Sequence, residues 1–162
     1  MSRRIGLDVG GVIIDAIGND GTDTDLRGDR YMETTPVAGV FNAVKRLIEK
    51  YGADNVFIVS KCKAIIEGKT REWLAGNNFY GFTGFNPSNL YFCETREGKA
   101  PIVEDLEITD FVDDRADVLG HMEGIVARRY LFGPQSDTEQ NVDGLIVVND
   151  WDEALPLLLS EV

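Results

Sequence analysis

The stretch "RIGLDVGGVIID" (residues 4–15) determines how the rest of the chain is interpreted. Its first apolar residues predict a short buried strand that delivers Asp8 into a glycine turn beginning near Gly10. A carboxylate at the end of a buried strand is placed to act as a nucleophile. Residues 4–15 therefore raise the question of whether an active site is built around Asp8.

The remaining apolar segments alternate with segments of helical periodicity. We expect strands at residues 4–8, 55–60, 89–93, 110–114, 124–132 and 144–148. We expect helices from Thr35–Pro36 to Tyr51 and at 63–75, 99–106, 115–122 and 151–160, where Pro156 weakens the last helix. Nearly continuous apolar strands that alternate with helices indicate an open α/β fold, with a parallel sheet covered by helices on both faces.

Residues 15–35 do not fit this alternation. They are polar, rich in Gly and Asp, and long for a connection between two elements. We interpret them as a flap over the strand ends, and a surface loop is the alternative.

The composition limits the classes of function. The chain has 162 residues and a net charge of −12, which favours one domain (1–162) and argues against a nucleic-acid backbone or an anionic membrane as partner. There is no run of about 18 apolar residues, and no apolar core precedes Asp8, so we expect a cytoplasmic protein. Cys62 and Cys93 lack metal-binding spacing and are predicted to be small buried thiols.

Polar residues follow or end three of the expected strands, namely Asp8, Ser60 and the pair Asp113–Asp114. The carboxyl ends of parallel strands meet at one edge of a sheet, so we expect these side chains to converge. Carboxylates are hard oxygen ligands that suit Mg²⁺, and a serine hydroxyl can donate to a phosphoryl oxygen. With Lys99 as the balancing charge, these residue types supply the elements of phosphoryl transfer.

The order of these segments resembles the four motifs of the haloacid dehalogenase (HAD) superfamily over roughly residues 4–132. The matching segments are "GLDVGGVIID", "VFIVSKC", "REGKAPIVEDL" and "ITDFVDDRADVL". The resemblance implies a three-layer Rossmann-like core with a flap after the first strand. It also implies a Mg²⁺-dependent phosphohydrolase that works through an aspartyl-phosphate. The short gaps at 15–35 and between Cys93 and Lys99 imply a member without a large cap domain.

The resemblance also assigns roles to individual residues. Asp8 matches the nucleophile, and Ser60 and Lys99 match the groups that bind the phosphoryl oxygens. Lys61 and Arg96 are further candidates for phosphate binding, although a surface ion pair is an equal alternative for Arg96. The residues that would bind the metal are Asp8, the Gly10 backbone carbonyl, Asp113 and Asp114.

The chain departs from the family pattern at Gly10, where most phosphatases of the family carry a second aspartate as general acid and base. Its loss is expected to slow ester hydrolysis by roughly 10²–10⁴-fold. One hypothesis is a phosphatase that uses another acid, with Asp15, Asp20 and Asp23 as candidates. A second is a catalytically impaired protein that binds a phosphorylated ligand or partner. A third hypothesis is carbon–halogen cleavage, but in that reaction the metal-binding acids Asp113 and Asp114 would have little purpose.

Two further features have alternative interpretations. The aromatic segment 77–92 either forms a wall facing the substrate or packs onto the core. The only histidine, His121, is expected at the end of a short helix, where its partial charge suits the helix terminus. Arg115 is expected to orient the acidic pair.

Overall fold

The computed structural model describes residues 3–15, 26, 28–134 and 142–161. Its strands are β1 (Ile5–Leu7), β2 (Val56–Lys61), β3 (Leu90–Cys93), β4 (Asp110–Asp113), β5 (Arg128–Phe132) and β6 (Leu145–Val148). They form one parallel sheet in the order β3-β2-β1-β4-β5-β6. The chain builds outward from β1 first to one side and then to the other, so the switch point where ligands bind in open α/β sheets lies at the end of β1.

Helices cover both faces of this sheet. They are α1 (Val40–Tyr51), α2 (Ala64–Gly76), α3 (Phe79–Thr83), α4 (Lys99–Asp105), α5 (Ala116–Gly120) and α6 (Trp151–Leu159), with 3₁₀ turns at 31–33, 53–55 and 87–89. Apolar residues of α1, α2, α3 and α6 pack on one face. Those of α4 and α5 pack on the other. The expected three-layer α/β architecture is confirmed.

The start of α1 differs from the sequence prediction, which placed it at Thr35–Pro36. The helix begins at Val40 because the preceding residues pair with the segment after β1. Pro36 forms an antiparallel bridge with Ile14, and the Val37 N–H donates to the Ile13 carbonyl at 2.8 Å. These contacts bring the two ends of the predicted flap side by side. Most of the flap, including Asp20 and Asp23, lies outside the described residues.

Other boundaries agree with the prediction to within a few residues. β5 starts at Arg128 rather than at 124, because the chain at 121–125 is still in turns. The terminal helix α6 continues through Pro156, which lacks the N–H that an interior helical residue would donate. Part of the aromatic segment packs onto the core: Phe79 and Phe85 are buried and the Phe41 ring lies 5.3 Å from that of Phe79, whereas Phe82 is exposed.

A buried ionic network ties together the amino-terminal edge of the sheet. Asp110, at the start of β4, accepts hydrogen bonds from Arg3 at 2.5 Å and from Arg128 at 2.8 Å. Burial opposes its ionisation, but the hydrogen bonds of the two arginines and of Thr109 hold its pKa below the usual value. This carboxylate is therefore fully paired in the fold.

Among the described residues, we find no helix with the length and apolar character needed to cross a membrane.

Candidate active site

Three acidic side chains converge where β1 and β4 end side by side. Leu7 pairs with Val112 in the sheet, and the Asp8 N–H donates to the Val112 carbonyl at 3.0 Å. This register places Asp8 next to Asp113. Carboxylate oxygens of Asp8, Asp113 and Asp114 all lie within 4.8 Å of one another. The strand-end pattern in the sequence thus corresponds to one compact acidic cluster.

Lys99 reaches this cluster from the start of α4. Its Nζ donates to Asp8 Oδ1 at 2.9 Å and to Asp113 Oδ2 at 2.8 Å, and only 2% of the residue is exposed. Burial disfavours the charged ammonium, but the attraction of the two carboxylates outweighs it and raises the pKa of Lys99. Lys99 therefore stays protonated and bridges the ends of β1 and β4.

One ammonium does not neutralise three carboxylates. Burial raises the pKa of Asp113 well above its usual value, and repulsion from Asp8 adds to the effect. Burial and the same repulsion raise the pKa of Asp114 to about 6. The cluster carries a formal charge of −2 when all of its groups are ionised. A set of clustered carboxylate oxygens with this charge fits a hard divalent cation.

Gly11 explains how Asp114 approaches the turn after β1. Its φ is +80°, and a Cβ atom built on it would lie 2.3 Å from Asp114 Oδ2. Any side chain here would displace the carboxylate, so the turn needs glycine both for its backbone conformation and for this close approach. The Gly-Gly sequence signalled the turn, but not the contact with an acid more than 100 residues away.

A cleft of about 530 Å³ opens beside the cluster. Asp114 and Gly11 line it on the side of the cluster, and Asp15 lines it from the base of the flap. Asp150, at the amino end of α6, contributes another carboxylate to the wall. The structure thus brings Asp15 into the same cleft as Asp114.

Ser60 is buried near the end of β2, next to β1, as the strand pattern predicts. Lys61, the last residue of the strand, is exposed. Arg96 lies in the loop between β3 and α4. Its side chain is 44% exposed and forms an ion pair of 3.2 Å with Asp117. The same carboxylate accepts from Arg115 at 3.1 Å.

Arg115 contacts the acidic cluster through its main chain. Its backbone N–H donates to Asp113 Oδ1 at 3.0 Å, whereas its side chain turns to Asp117. His121 is exposed at the end of α5. Cys62 and Cys93 are free thiols and only partly buried, in contrast to the expected buried thiols; Cys62 follows β2 and Cys93 ends β3, so both lie at the carboxyl ends of strands.

Sequence reasoning did not identify Trp151 as part of this region. The Trp151 indole donates to the Val12 carbonyl, in the turn after β1, at 2.9 Å. The two residues are 139 positions apart, and no local pattern in the sequence signals such a contact.

The fold of the chain is similar to that of several solved structures. D,D-heptose 1,7-bisphosphate phosphatase from B. bronchiseptica, complexed with magnesium and phosphate, has a TM-score of 0.65 at 16% identity, covering 99% of both chains. A HAD family hydrolase from Deinococcus radiodurans R1, with bound phosphate and sodium, has a TM-score of 0.68 at 11% identity, covering 97% of this chain and 95% of that one.

A third structure extends the similarity. The cobalt-bound deoxy-D-mannose-octulosonate 8-phosphate phosphatase from Haemophilus influenzae has a TM-score of 0.57 at 14% identity, covering 98% of this chain and 87% of that one. No protein-family model matches the chain, and no curated protein matches its sequence. At such identities the likeness shows the fold alone: the chain shares the α/β fold of these solved structures.

Proposed function

We propose that this protein is a Mg²⁺-dependent phosphohydrolase that works through an aspartyl-phosphate intermediate. The observation that carries the proposal is the cluster of Asp8, Asp113 and Asp114, bridged by Lys99 at the switch point of the sheet. The similar fold of a phosphatase and of a HAD family hydrolase, both with bound phosphate, supports it. The substrate is a phosphorylated compound, and the cleft that Asp114 lines beside the cluster offers room for it.

In this proposal Asp8 is the nucleophile. Its carboxylate attacks phosphorus, the ester oxygen departs, and water then hydrolyses the aspartyl-phosphate. Lys99 fixes the Asp8 carboxylate at 2.9 Å and, being protonated, offers positive charge to the phosphoryl oxygens. Ser60 is the hydroxyl donor to those oxygens, and Lys61 and Arg96 add positive charge at the rim.

The metal would be held by Asp8, Asp113, Asp114 and the backbone carbonyl of Gly10. When bound, Mg²⁺ would supply neutralising charge to the phosphoryl group. The backbone N–H of Arg115 holds Asp113 in place for this role. Because β1 and β4 are parallel neighbours, their carboxyl ends bring Asp8, which follows β1, close to Asp113 and Asp114, which end and follow β4.

The general acid is the part of the mechanism that Gly10 does not supply. We assign it to Asp15, which is half-buried in the cleft that Asp114 also lines. An acid in this position would protonate the leaving oxygen and then activate water. A protein that binds phosphorylated ligands without turnover is the alternative that the same experiment decides.

The test compares wild type, Asp8→Asn, Asp15→Asn and Gly10→Asp, each with Mg²⁺, on aryl phosphates of graded leaving-group pKa. We expect turnover by wild type and none by Asp8→Asn. Asp15→Asn should lose about 10²-fold or more on poor leaving groups and far less on good ones. Asp150→Asn is the matched control, because it removes a carboxylate from the same cleft and Asn retains the helix cap.

Three results would contradict parts of the proposal. Equal activity of wild type and Asp8→Asn would exclude the nucleophile. Equal losses in Asp15→Asn and Asp150→Asn would exclude Asp15 as the acid. Mg²⁺ binding without turnover on any phosphate ester by wild type, with turnover appearing in Gly10→Asp, would establish the non-catalytic alternative.

A further inference from the structure

The turn that follows the nucleophile strand is held from outside by a tryptophan. Val12 is fully buried, and its carbonyl accepts a hydrogen bond of 2.9 Å from the indole of Trp151, which is 2% exposed. The next two carbonyls of the turn are satisfied by main-chain donors at 2.8 Å, from Val37 to Ile13 and from Gly11 to Ile14. The Val12 carbonyl is therefore the point at which a side chain fixes the turn.

This point lies in the same turn as residues of the proposed metal site. Asp8 immediately precedes the turn, and the Asp114 carboxylate occupies the space that a Cβ atom on Gly11 would need. The peptide that offers the Gly10 carbonyl lies two residues before Val12. In a turn this tight, rotation of the Val12 peptide moves its neighbours as well, because the Val12 and Ile13 N–H groups both donate to the Val9 carbonyl.

Trp151 itself is rigidly placed. It is the first residue of α6, whose N-cap Asp150 accepts from the Glu153 N–H at 2.9 Å. Its ring packs 5.2 Å from that of Phe132, at the end of β5. The indole N–H is thus a donor held by the sheet and by the terminal helix, independently of the turn that it contacts.

We propose that Trp151 is a positioning residue of the metal site: its indole N–H holds the turn after Asp8 so that the Gly10 carbonyl and Asp114 keep their metal-binding arrangement. The inference rests on the proposed function. Residues that orient metal ligands without touching the metal typically contribute about 10–100-fold to metal affinity. A loss of that size is expected when the indole donor is removed.

The chain contains a matched control. Trp73, the only other tryptophan, donates from its indole to the Thr34 carbonyl, also at 2.9 Å, and is fully buried. Thr34 lies at the far end of the flap region, outside the turn that follows Asp8. Trp73→Phe and Trp151→Phe therefore remove the same kind of bond, and of the two indoles only that of Trp151 donates directly to the turn after Asp8.

The experiment measures Mg²⁺ binding by titration calorimetry on the full chain of wild type and both variants. Urea unfolding in EDTA records whether each variant is folded. We expect Trp151→Phe to bind Mg²⁺ about 10–100-fold more weakly than wild type, and Trp73→Phe to bind it within twofold. Binding by Trp151→Phe within twofold of wild type would overturn the inference while leaving the proposed function intact. Equal weakening in the two variants would do the same.

A second measurement does not require Trp151→Phe to fold. In Trp73→Phe the emission comes from Trp151 alone, so Mg²⁺ added to this variant should change the emission with the same dissociation constant as the calorimetry. Unchanged emission at saturating Mg²⁺ would overturn the coupling. Absence of Mg²⁺ binding in wild type would overturn the metal site of the proposed function, and this inference with it.

Discussion

Replacing Lys99 by Met should destabilise the metal-free protein severely. Lys99 forms ion pairs of 2.9 Å and 2.8 Å in a site where it is 2% exposed. With an effective dielectric constant of about 20, each pair attracts by about 6 kcal/mol. Desolvation of the buried charges offsets much of this, and breaking a buried pair typically costs about 3–5 kcal/mol. Methionine fills the space of the lysine stem, so the loss reports charge rather than a cavity.

The assay is equilibrium unfolding in urea at pH 7 with EDTA present. We expect Lys99→Met to lose about 3–5 kcal/mol in the free energy of unfolding. Lys63→Met is the control, because Lys63 is exposed two residues after β2 and its replacement should change stability by less than about 0.5 kcal/mol. The double variant Lys99→Met/Asp113→Asn should be more stable than Lys99→Met, since it removes one of the buried carboxylates that the lysine had balanced.

Two outcomes would refute this reasoning. A loss below about 1 kcal/mol in Lys99→Met would place the ammonium in an environment of high dielectric, where ion pairs contribute little. A double variant that is less stable than Lys99→Met would show that the Asp113 carboxylate, without its lysine, does not destabilise the folded protein. Either result would also remove the charge argument for a divalent cation.

Three further predictions concern other parts of the chain. Asp110→Asn should cost about 3 kcal/mol or more in urea unfolding, because it leaves the buried Arg3 and the partly buried Arg128 without their carboxylate. The pKa of Asp110 in the folded protein lies below 3.8, so its contribution to stability is complete above that pH and is lost as the pH falls through the folded pKa. The stability of Asp110→Asn should therefore fall less steeply than that of wild type between about pH 4 and 2. Gly11→Ala should weaken Mg²⁺ binding in calorimetry and lower the free energy of unfolding by more than Gly124→Ala does. Gly124 also has a positive φ, +78°, but no atom lies within 4 Å of an added Cβ, so its replacement should cost only about 1–2 kcal/mol. Burial raises the pKa of the Cys62 and Cys93 thiols, so iodoacetamide should label both more slowly in the native protein at pH 7 than in urea, and equal rates would contradict this.

The fold was predictable because each of its strands has its own local signal. Apolar segments of five or six residues, separated by helical periodicity, defined the order of elements, and the polar residue at each strand end defined the edge where they meet. The start of α1 was not predictable in the same way. Proline at 36 is a good first helical residue, but here its backbone pairs with Ile14, a contact that depends on the flap folding back.

Candidate site residues were predictable to the extent that they follow strands. Asp8, Ser60 and Asp113 could be placed at one edge from the sequence alone, and the structure brings the three there. Contacts formed by packing could not be predicted. The bond from Trp151 to Val12 and the approach of Asp114 to Gly11 depend on how α6 and the β4–α5 loop dock onto the turn, which no local pattern encodes.

The two ends of β4 show how a structural carboxylate differs from one at a functional site. Asp110 is buried between two arginines, and its pKa is lowered because its charge is fully paired. Asp113, three residues along the same strand, has one lysine to share with Asp8, and its pKa is raised by burial and repulsion.

A fold gains nothing in stability from the second arrangement, since carboxylates without compensating charge are costly to bury. Charge strain of this kind is typical of sites that bind a cation or a reacting group. Having glycine at position 10 does not change the repulsion between Asp113 and Asp8, because the three carboxylates of the acidic cluster are all present. In the metal-free protein the negative charge of the cluster therefore exceeds the positive charge of Lys99 when all groups are ionised. Binding of a divalent cation should raise the free energy of unfolding by the amount that mass action gives for the measured affinity.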